Sequence, residues 1–502
     1  MTIASPIEQP APARVASGMP GLDTILGGGF TLGGMYIVLG DPGAGKTIFT
    51  NQISYYHVAN GGNALFVTLL AENHARMISN MRALAFFDET TIPDRMTYLS
   101  AFNEMREGGL KALLDLLRRE VLRRRISVLV IDGLVSAETS GESDQAFREL
   151  IHDLQEVALA TDCTMFITSS SKNDISPERT MVDGLIELSS RTYGWQSQSD
   201  LEVRKFRGSG FLRGRHSYKI TDEGISIYPR IEALLASPSR PAEAELGRTS
   251  TGLVKLDAML GGGLPIASTT MLMGPSGIGK TTMGLHFLSG SSPEEPGLMF
   301  GFYETPARLQ AKAKSISPAL GAMFDNGTVE LLWQTPTSDL LDAYGERLLE
   351  AVHRKGIKRL FIDGLTAFQN STIDPSRIGN FFSALANELR VLGVTTAYSL
   401  EMPDIIGPDL RVPVQDASSL AENMILLRFV ERRSRLYRLI SILKVRDSDF
   451  DPSLYEFTLS ASGVAINETS DSAEVILSDP RSSGLEGIRE PDVSWQPSKR
   501  GG

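Results

Sequence analysis

Short apolar runs alternate with amphipathic stretches along most of this chain. The runs Met35-Tyr36-Ile37-Val38-Leu39, Ala64-Leu65-Phe66-Val67-Thr68, Val128-Leu129-Val130-Ile131 and Thr164-Met165-Phe166-Ile167-Thr168 have counterparts in the second half. These are Thr270-Met271-Leu272-Met273, Leu298-Met299-Phe300-Gly301-Phe302, Arg359-Leu360-Phe361-Ile362 and Val394-Thr395-Thr396-Ala397-Tyr398. A strand that is apolar at successive positions has both faces covered, as in a parallel sheet between layers of helix. The helical stretches supply the crossovers, so the pattern predicts an α/β fold that occurs twice.

The two halves repeat in detail as well as in kind. Gly18-Met19-Pro20-Gly21-Leu22-Asp23 followed by Gly27-Gly28-Gly29 returns as Gly252-Leu253-Val254-Lys255-Leu256-Asp257 followed by Gly261-Gly262-Gly263. Gly40-Asp41-Pro42-Gly43-Ala44-Gly45-Lys46-Thr47 returns as Gly274-Pro275-Ser276-Gly277-Ile278-Gly279-Lys280-Thr281. Both landmarks are displaced by 234 positions, so no gap separates them. A duplicated domain follows. The expected boundaries are a tail over 1–14, a first domain over 15–234, a linker over 235–247, a second domain over 248–468 and a tail over 469–502. The linker rests on Ala236-Ser237-Pro238-Ser239-Arg240-Pro241-Ala242, and the tails on their Ser, Pro, Asp and Gly content.

Composition narrows the reading a little. A chain of 502 residues suits two domains, and 42% hydrophobic with 22% charged residues is ordinary for a globular protein. The 49 Lys and Arg against 60 Asp and Glu give a net charge of −11, which disfavours nonspecific nucleic-acid binding. The basic run Arg118-Arg119-Glu120-Val121-Leu122-Arg123-Arg124-Arg125 alternates with leucines at helical spacing and reads as a solvated helix face. Arg432, Arg433, Arg435 and Arg438 read as a hairpin or subunit interface, and neither run interleaves aromatics for base stacking. The single Cys163 sits in an apolar stretch and reads as a small buried hydrophobe. The six histidines show no metal-ligand spacing. No run approaches the about 18 apolar residues of a membrane span, so the expectation is a cytoplasmic protein without membrane contact.

The chemistry lies in the doubled G-x-x-x-x-G-K-T loop. Glycines Gly40, Gly43 and Gly45, and likewise Gly274, Gly277 and Gly279, let successive backbone N–H groups turn toward phosphates without a Cβ clash. The helix that follows presents its positive end to the same anion. In such loops Lys46 and Lys280 reach the β- and γ-phosphates, while the hydroxyls of Thr47 and Thr281 ligate Mg2+. Asp132 and Asp363 end buried strands, where a carboxylate is costly without a cation or several donors; they are the expected acids on the magnesium side. The expected ligand is ATP with Mg2+ in both domains.

With these motifs in view, residues 15–468 resemble the KaiC family, tandem RecA-like ATPases whose archetype is the cyanobacterial clock protein. The marks are the doubled L-D…L-G-G-G entry segment, the two P-loops, and the closing motifs Lys205-Phe206-Arg207-Gly208 and Lys444-Val445-Arg446-Asp447. The resemblance implies a double-ring homo-hexamer with ATP between neighbouring subunits. It also implies that Lys205, Arg207, Lys444 and Arg446 reach the neighbour's nucleotide. If each K-x-R lies on a strand, its two cations share one face and can offset charge at the γ-phosphate.

The family places two adjacent glutamates after the second strand, and this chain departs from that. The first domain has Leu70 and Ala71 there, with Glu72 one position later; the second has Tyr303 and Glu304. Catalysis is therefore expected in the second domain, with Glu304, Lys280, Lys444 and Arg446 as its working groups. The family's second domain also phosphorylates itself on adjacent hydroxyls before a strand of the kind found at Ile425-Leu426-Leu427-Arg428-Phe429-Val430-Glu431. Counting back without gaps puts Ser418 and Ser419 at the acceptor positions. The reading is an ATPase with serine autokinase activity in signalling or circadian-type regulation, its protein partners unnamed. The alternatives are a nucleotide-gated scaffold with little turnover and a RecA-like DNA recombinase or helicase motor.

Overall fold

The computed structural model describes residues 13–69, 74–134, 144–170, 181–194, 196–240, 247–335, 340–402, 421–432, 434–446 and 448–471. The chain divides into two compact units whose main boundary lies between Ser237 and Pro238, with Asp339–Arg347 and Thr372–Pro375 grouped with the first.

The first unit contains β1 (Arg14–Val15), β2 (Phe30–Thr31), β3 (Met35–Gly40), β4 (Ala64–Thr68), β5 (Met96–Ser100) and β6 (Val128–Asp132). It continues with β7 (Thr164–Ser169), β8 (Gly184–Tyr193), β9 (Gln196–Phe206), β10 (Arg215–Thr221) and β11 (Gly224–Tyr228). Among the described residues β3 to β11 form a nine-stranded sheet in the order β11-β10-β9-β8-β3-β7-β6-β4-β5. Strands β8 to β5 in that order run parallel, and β9, β10 and β11 extend the sheet as antiparallel hairpins. The central strands are buried at nearly every position because helices cover both faces. One core collects Tyr36, Val38, Phe66, Val130 and Phe166. The other collects Ile37, Leu65, Leu129, Ile131 and Ile167, the alternate positions of the same strands.

The second unit contains β12 (Arg248–Thr249), β13 (Leu264–Pro265), β14 (Thr269–Gly274), β15 (Gly297–Gly301), β16 (Val329–Trp333) and β17 (Arg359–Asp363). Then follow β18 (Thr395–Glu401), β19 (Asn423–Arg432), β20 (Arg435–Lys444), β21 (Tyr455–Ser460) and β22 (Gly463–Ile466). Its sheet order is β16-β15-β17-β18-β14-β19-β20-β21-β22, the same topology read from the other edge. The α/β class with two RecA-like sheets is thus the observed architecture. β1 takes in Arg14, the last residue of the expected tail.

Two other expectations meet the structure here. Arg123 and Arg124 pair with the buried Glu120 at 2.5 and 2.9 Å on the helix Phe102–Arg124, as a solvated helix face with acids should. Cys163 is fully buried, and burial pushes its thiol up to about 12.

Candidate nucleotide sites

Each P-loop leaves the end of a central strand and runs into a helix, Lys46–Ala59 in the first unit and Lys280–Leu288 in the second. Gly43 and Gly277 adopt φ of +85° and +74°, and a Cβ at either would meet no protein atom within 4 Å. The concavity is open, and a phosphate can fill it. Gly45 and Gly279 begin the helices, also with positive φ. Lys46 folds back so that Nζ donates to the carbonyls of Gly40 (2.7 Å) and Asp41 (3.1 Å). Lys280 does the same to Gly274 (2.7 Å) and Pro275 (2.8 Å). Burial lowers both lysine pKa values, opposed by Asp132 and Asp41 in one site and by Glu401 and Asp363 in the other. A partly desolvated ammonium ringed by carbonyls is prepared to take an anion.

The strand-end acids stand where expected, and each has a partner that the linear sequence hides. Asp132 accepts from the Thr168 hydroxyl on β7, and the Gly133 N–H donates to that hydroxyl at 3.3 Å. Asp363 accepts from Thr281 on Oδ2 at 2.6 Å and from Ser399 on Oδ1 at 2.5 Å. Burial pushes the Asp363 carboxyl above its usual range; the two hydroxyls pull it back. Because Thr281 spends its proton on Asp363, its lone pairs remain for a cation. A costly buried carboxylate beside a hydroxyl with free lone pairs is a donor set that fits Mg2+. Thr281 and Asp363 would hold it, and Thr47 and Asp132 are the matching pair in the first unit.

The second site is a cavity of about 430 Å³ lined by the P-loop together with Tyr303, Glu304, Lys312, Asp363, Ser399 and Glu401. Glu304 follows β15 and its Oε1 accepts from Lys312 Nζ at 2.5 Å. Two residues before Glu304, the chain is anchored in an aromatic cluster. Phe302 packs on Phe300 and Phe368 with ring centroids 4.8 and 5.2 Å apart, and Phe368 packs on Phe382 at 5.1 Å. The first unit keeps the same register but has other residues after it. Thr68 pairs with Asp132 as Gly301 pairs with Asp363, so the two residues after Leu69 match Tyr303 and Glu304. Those two, Leu70 and Ala71, and also Glu72, lie outside the described residues, as do Ser418 and Ser419.

The K-x-R motifs sit at the other end of the sheet from their own P-loops. Lys205 pairs with Leu185, which pairs with Ile37, three residues or about 10 Å before Gly40. Lys444 pairs with Met424, which pairs with Met271, again near the start of the P-loop strand. Both motifs therefore lie away from the P-loop of their own domain. The expectation that both cations alternate along one strand needs correction. β9 ends at Phe206 and β20 at Lys444, so Arg207 and Arg446 lie beyond the strands. A bulge precedes each lysine, with Arg204 and Leu443 as the extra residues, and it resets which face the lysine takes. In both units the lysine is half-buried and the arginine exposed. Lys444 donates to the Ala421 carbonyl at 3.1 Å, Arg446 approaches Glu422 at 3.7 Å, and Arg207 donates to the Met181 carbonyl at 3.3 Å.

Fold and sites together define a tandem P-loop nucleotide-binding protein. A family model described as the KaiC ATPase matches residues 15–232 and again 249–471. The chain belongs to the KaiC ATPase family. It is 24% identical over 486 residues to the circadian clock oscillator protein KaiC of Synechococcus elongatus, covering 94% of this chain and 92% of that one. The KaiC of Picosynechococcus sp. is 23% identical over 480 residues, 93% of this chain and 92% of its own. The circadian clock protein KaiC3 of Synechocystis sp. is 25% identical over 482 residues, with 91% and 92% covered. Among the described residues no helix is long and apolar enough to cross a membrane.

Proposed function

We propose that this chain binds Mg-ATP in both domains, concentrates turnover in the second, and there transfers phosphate to Ser418 or Ser419. The observation that carries the reading is the convergence of Lys280, Thr281, Asp363 and Glu304 on one cavity. Lys280 and the loop N–H groups fix the phosphates, and bound Mg2+ supplies positive charge to the phosphate oxygens. Glu304 takes the proton of the attacking hydroxyl or water. Lys444 and Arg446 offset charge on a neighbouring subunit's phosphates, as do Lys205 and Arg207 in the first domain. Their place at the sheet end away from their own P-loops supports that assignment and the homo-hexamer it requires. The role is signalling or circadian-type regulation in the cytoplasm. Phosphopeptide mass spectrometry before and after Mg-ATP, beside Lys280→Ala, tests the kinase step. Lys280-dependent phosphate on either serine supports it, and unmodified serines with ATP bound remove it.

A second reading, a nucleotide-gated scaffold with little turnover, draws on Leu70 and Ala71 standing where the second domain has Tyr303 and Glu304. Nucleotide-dependent assembly without phosphate release would favour it.

A further inference from the structure

The pairing of Glu304 with Lys312 is unexplained by the fold. Lys312 lies on the helix Pro306–Ile316, whose core contacts are Leu309 and Ala313. A lysine there is free to extend into solvent, as Lys314 does in its exposed pair with Asp325 at 3.1 Å. Lys312 instead borders the nucleotide cavity, and its ammonium sits 2.5 Å from the Glu304 carboxylate with each side chain about one-third exposed. Glu304 immediately precedes the helix N-cap Thr305, where the helix end itself favours a carboxylate. It turns to the ammonium two turns along. The matching helix of the first unit, His74–Met81, carries no lysine. The lysine accompanies the glutamate.

We infer that Lys312 is a terminal-phosphate-sensing cation that holds Glu304 until a nucleoside triphosphate enters the second site. This rests on the reading of that site as a nucleotide site. A part-exposed ion pair adds little net stability, and a terminal phosphate bears more charge than one carboxylate, so the ammonium transfers to the phosphate when one arrives. Glu304 is then released to receive a proton. A diphosphate does not reach as far along the cavity and leaves the pair closed. No bond is made or broken in the exchange; one charge-assisted hydrogen bond replaces another.

The test compares ATP and ADP affinity at the second site of the full chain, in a Lys46→Ala background that removes binding at the first. Lys312→Met keeps the side-chain length and deletes the charge. The expected result is an ATP affinity about tenfold weaker with ADP affinity within about twofold of the parent, and partial recovery of ATP binding in Lys312→Arg. Equal losses for both nucleotides, or no loss for either, overturns the inference. A parent that binds ATP but never hydrolyses it defeats the proposed function alone, since the ATP-to-ADP ratio is still measured.

Discussion

The two units share one topology strand for strand, and they part company within a few residues of the phosphate. Each has a P-loop lysine donating to two loop carbonyls and a strand-end acid receiving a hydroxyl. The second adds Glu304, Lys312 and Glu401 to the cavity wall. The register-matched place of Glu304 in the first is Ala71. Duplication kept the phosphate cradle in both copies because backbone geometry makes it. Acid–base function needs particular side chains at particular positions, and the proposed function assigns it to the second copy. On that proposal binding and turnover are separable in this fold.

The two units should differ most in their response at Glu304. Glu304→Gln should lower ATP turnover by about 100-fold or more while nucleotide binding persists, read by phosphate release beside equilibrium binding. Next in size is the support beneath it. Phe368→Ala removes the ring on which Phe302 and Phe382 pack, and should cost about 3–5 kcal/mol in denaturant unfolding of the second unit.

Asp363→Asn should act with opposite signs on two measurements. Mg2+-dependent nucleotide binding should fall at least about tenfold, since a ligand is lost. The ligand-free protein should melt at a higher temperature, because burial of the ionised carboxyl costs more than the Thr281 and Ser399 hydroxyls return. The pH dependence has the same origin. A carboxyl raised in the folded state contributes stability that is present below its unfolded pKa and lost as pH rises through the folded one. Without metal, Asp363 should therefore make the second unit more stable as the medium is acidified from neutral. Mg2+ affinity should move the other way and begin to fall above the ordinary carboxylate range. Calorimetry with and without Mg2+ over that range checks both signs. The smallest effect belongs to Cys163, whose buried, poorly ionised thiol should stay unreactive to thiol reagents until the first unit unfolds.

The central strands were legible because burial on both faces leaves continuous apolar runs; those expected at Ala64–Thr68 and Val128–Ile131 coincide with β4 and all but the last residue of β6. The edge strands β5 and β16 were not, since Tyr98, Leu99 and Glu330 to Trp333 are only partly buried, Ser100 is exposed, and none of them carries a clean pattern. The phosphate loops were legible as local motifs. Thr168 and Ser399 were not, because each reaches its acid across a strand pairing 36 positions away in sequence. Lys312 and Glu401 were hidden for a related reason. A lysine on an amphipathic helix and a glutamate at a strand end look like surface charge until the sheet brings both to one cavity. The bulges before Lys205 and Lys444 likewise have no local sign, and they undo an argument from strand alternation.

The most direct test of the division between the units is ATP turnover by the full chain carrying Lys46→Ala or Lys280→Ala. Lys280→Ala should remove most phosphate release, while Lys46→Ala should leave most of it in place. Equal losses in the two variants, or a larger loss from Lys46→Ala, would contradict that division.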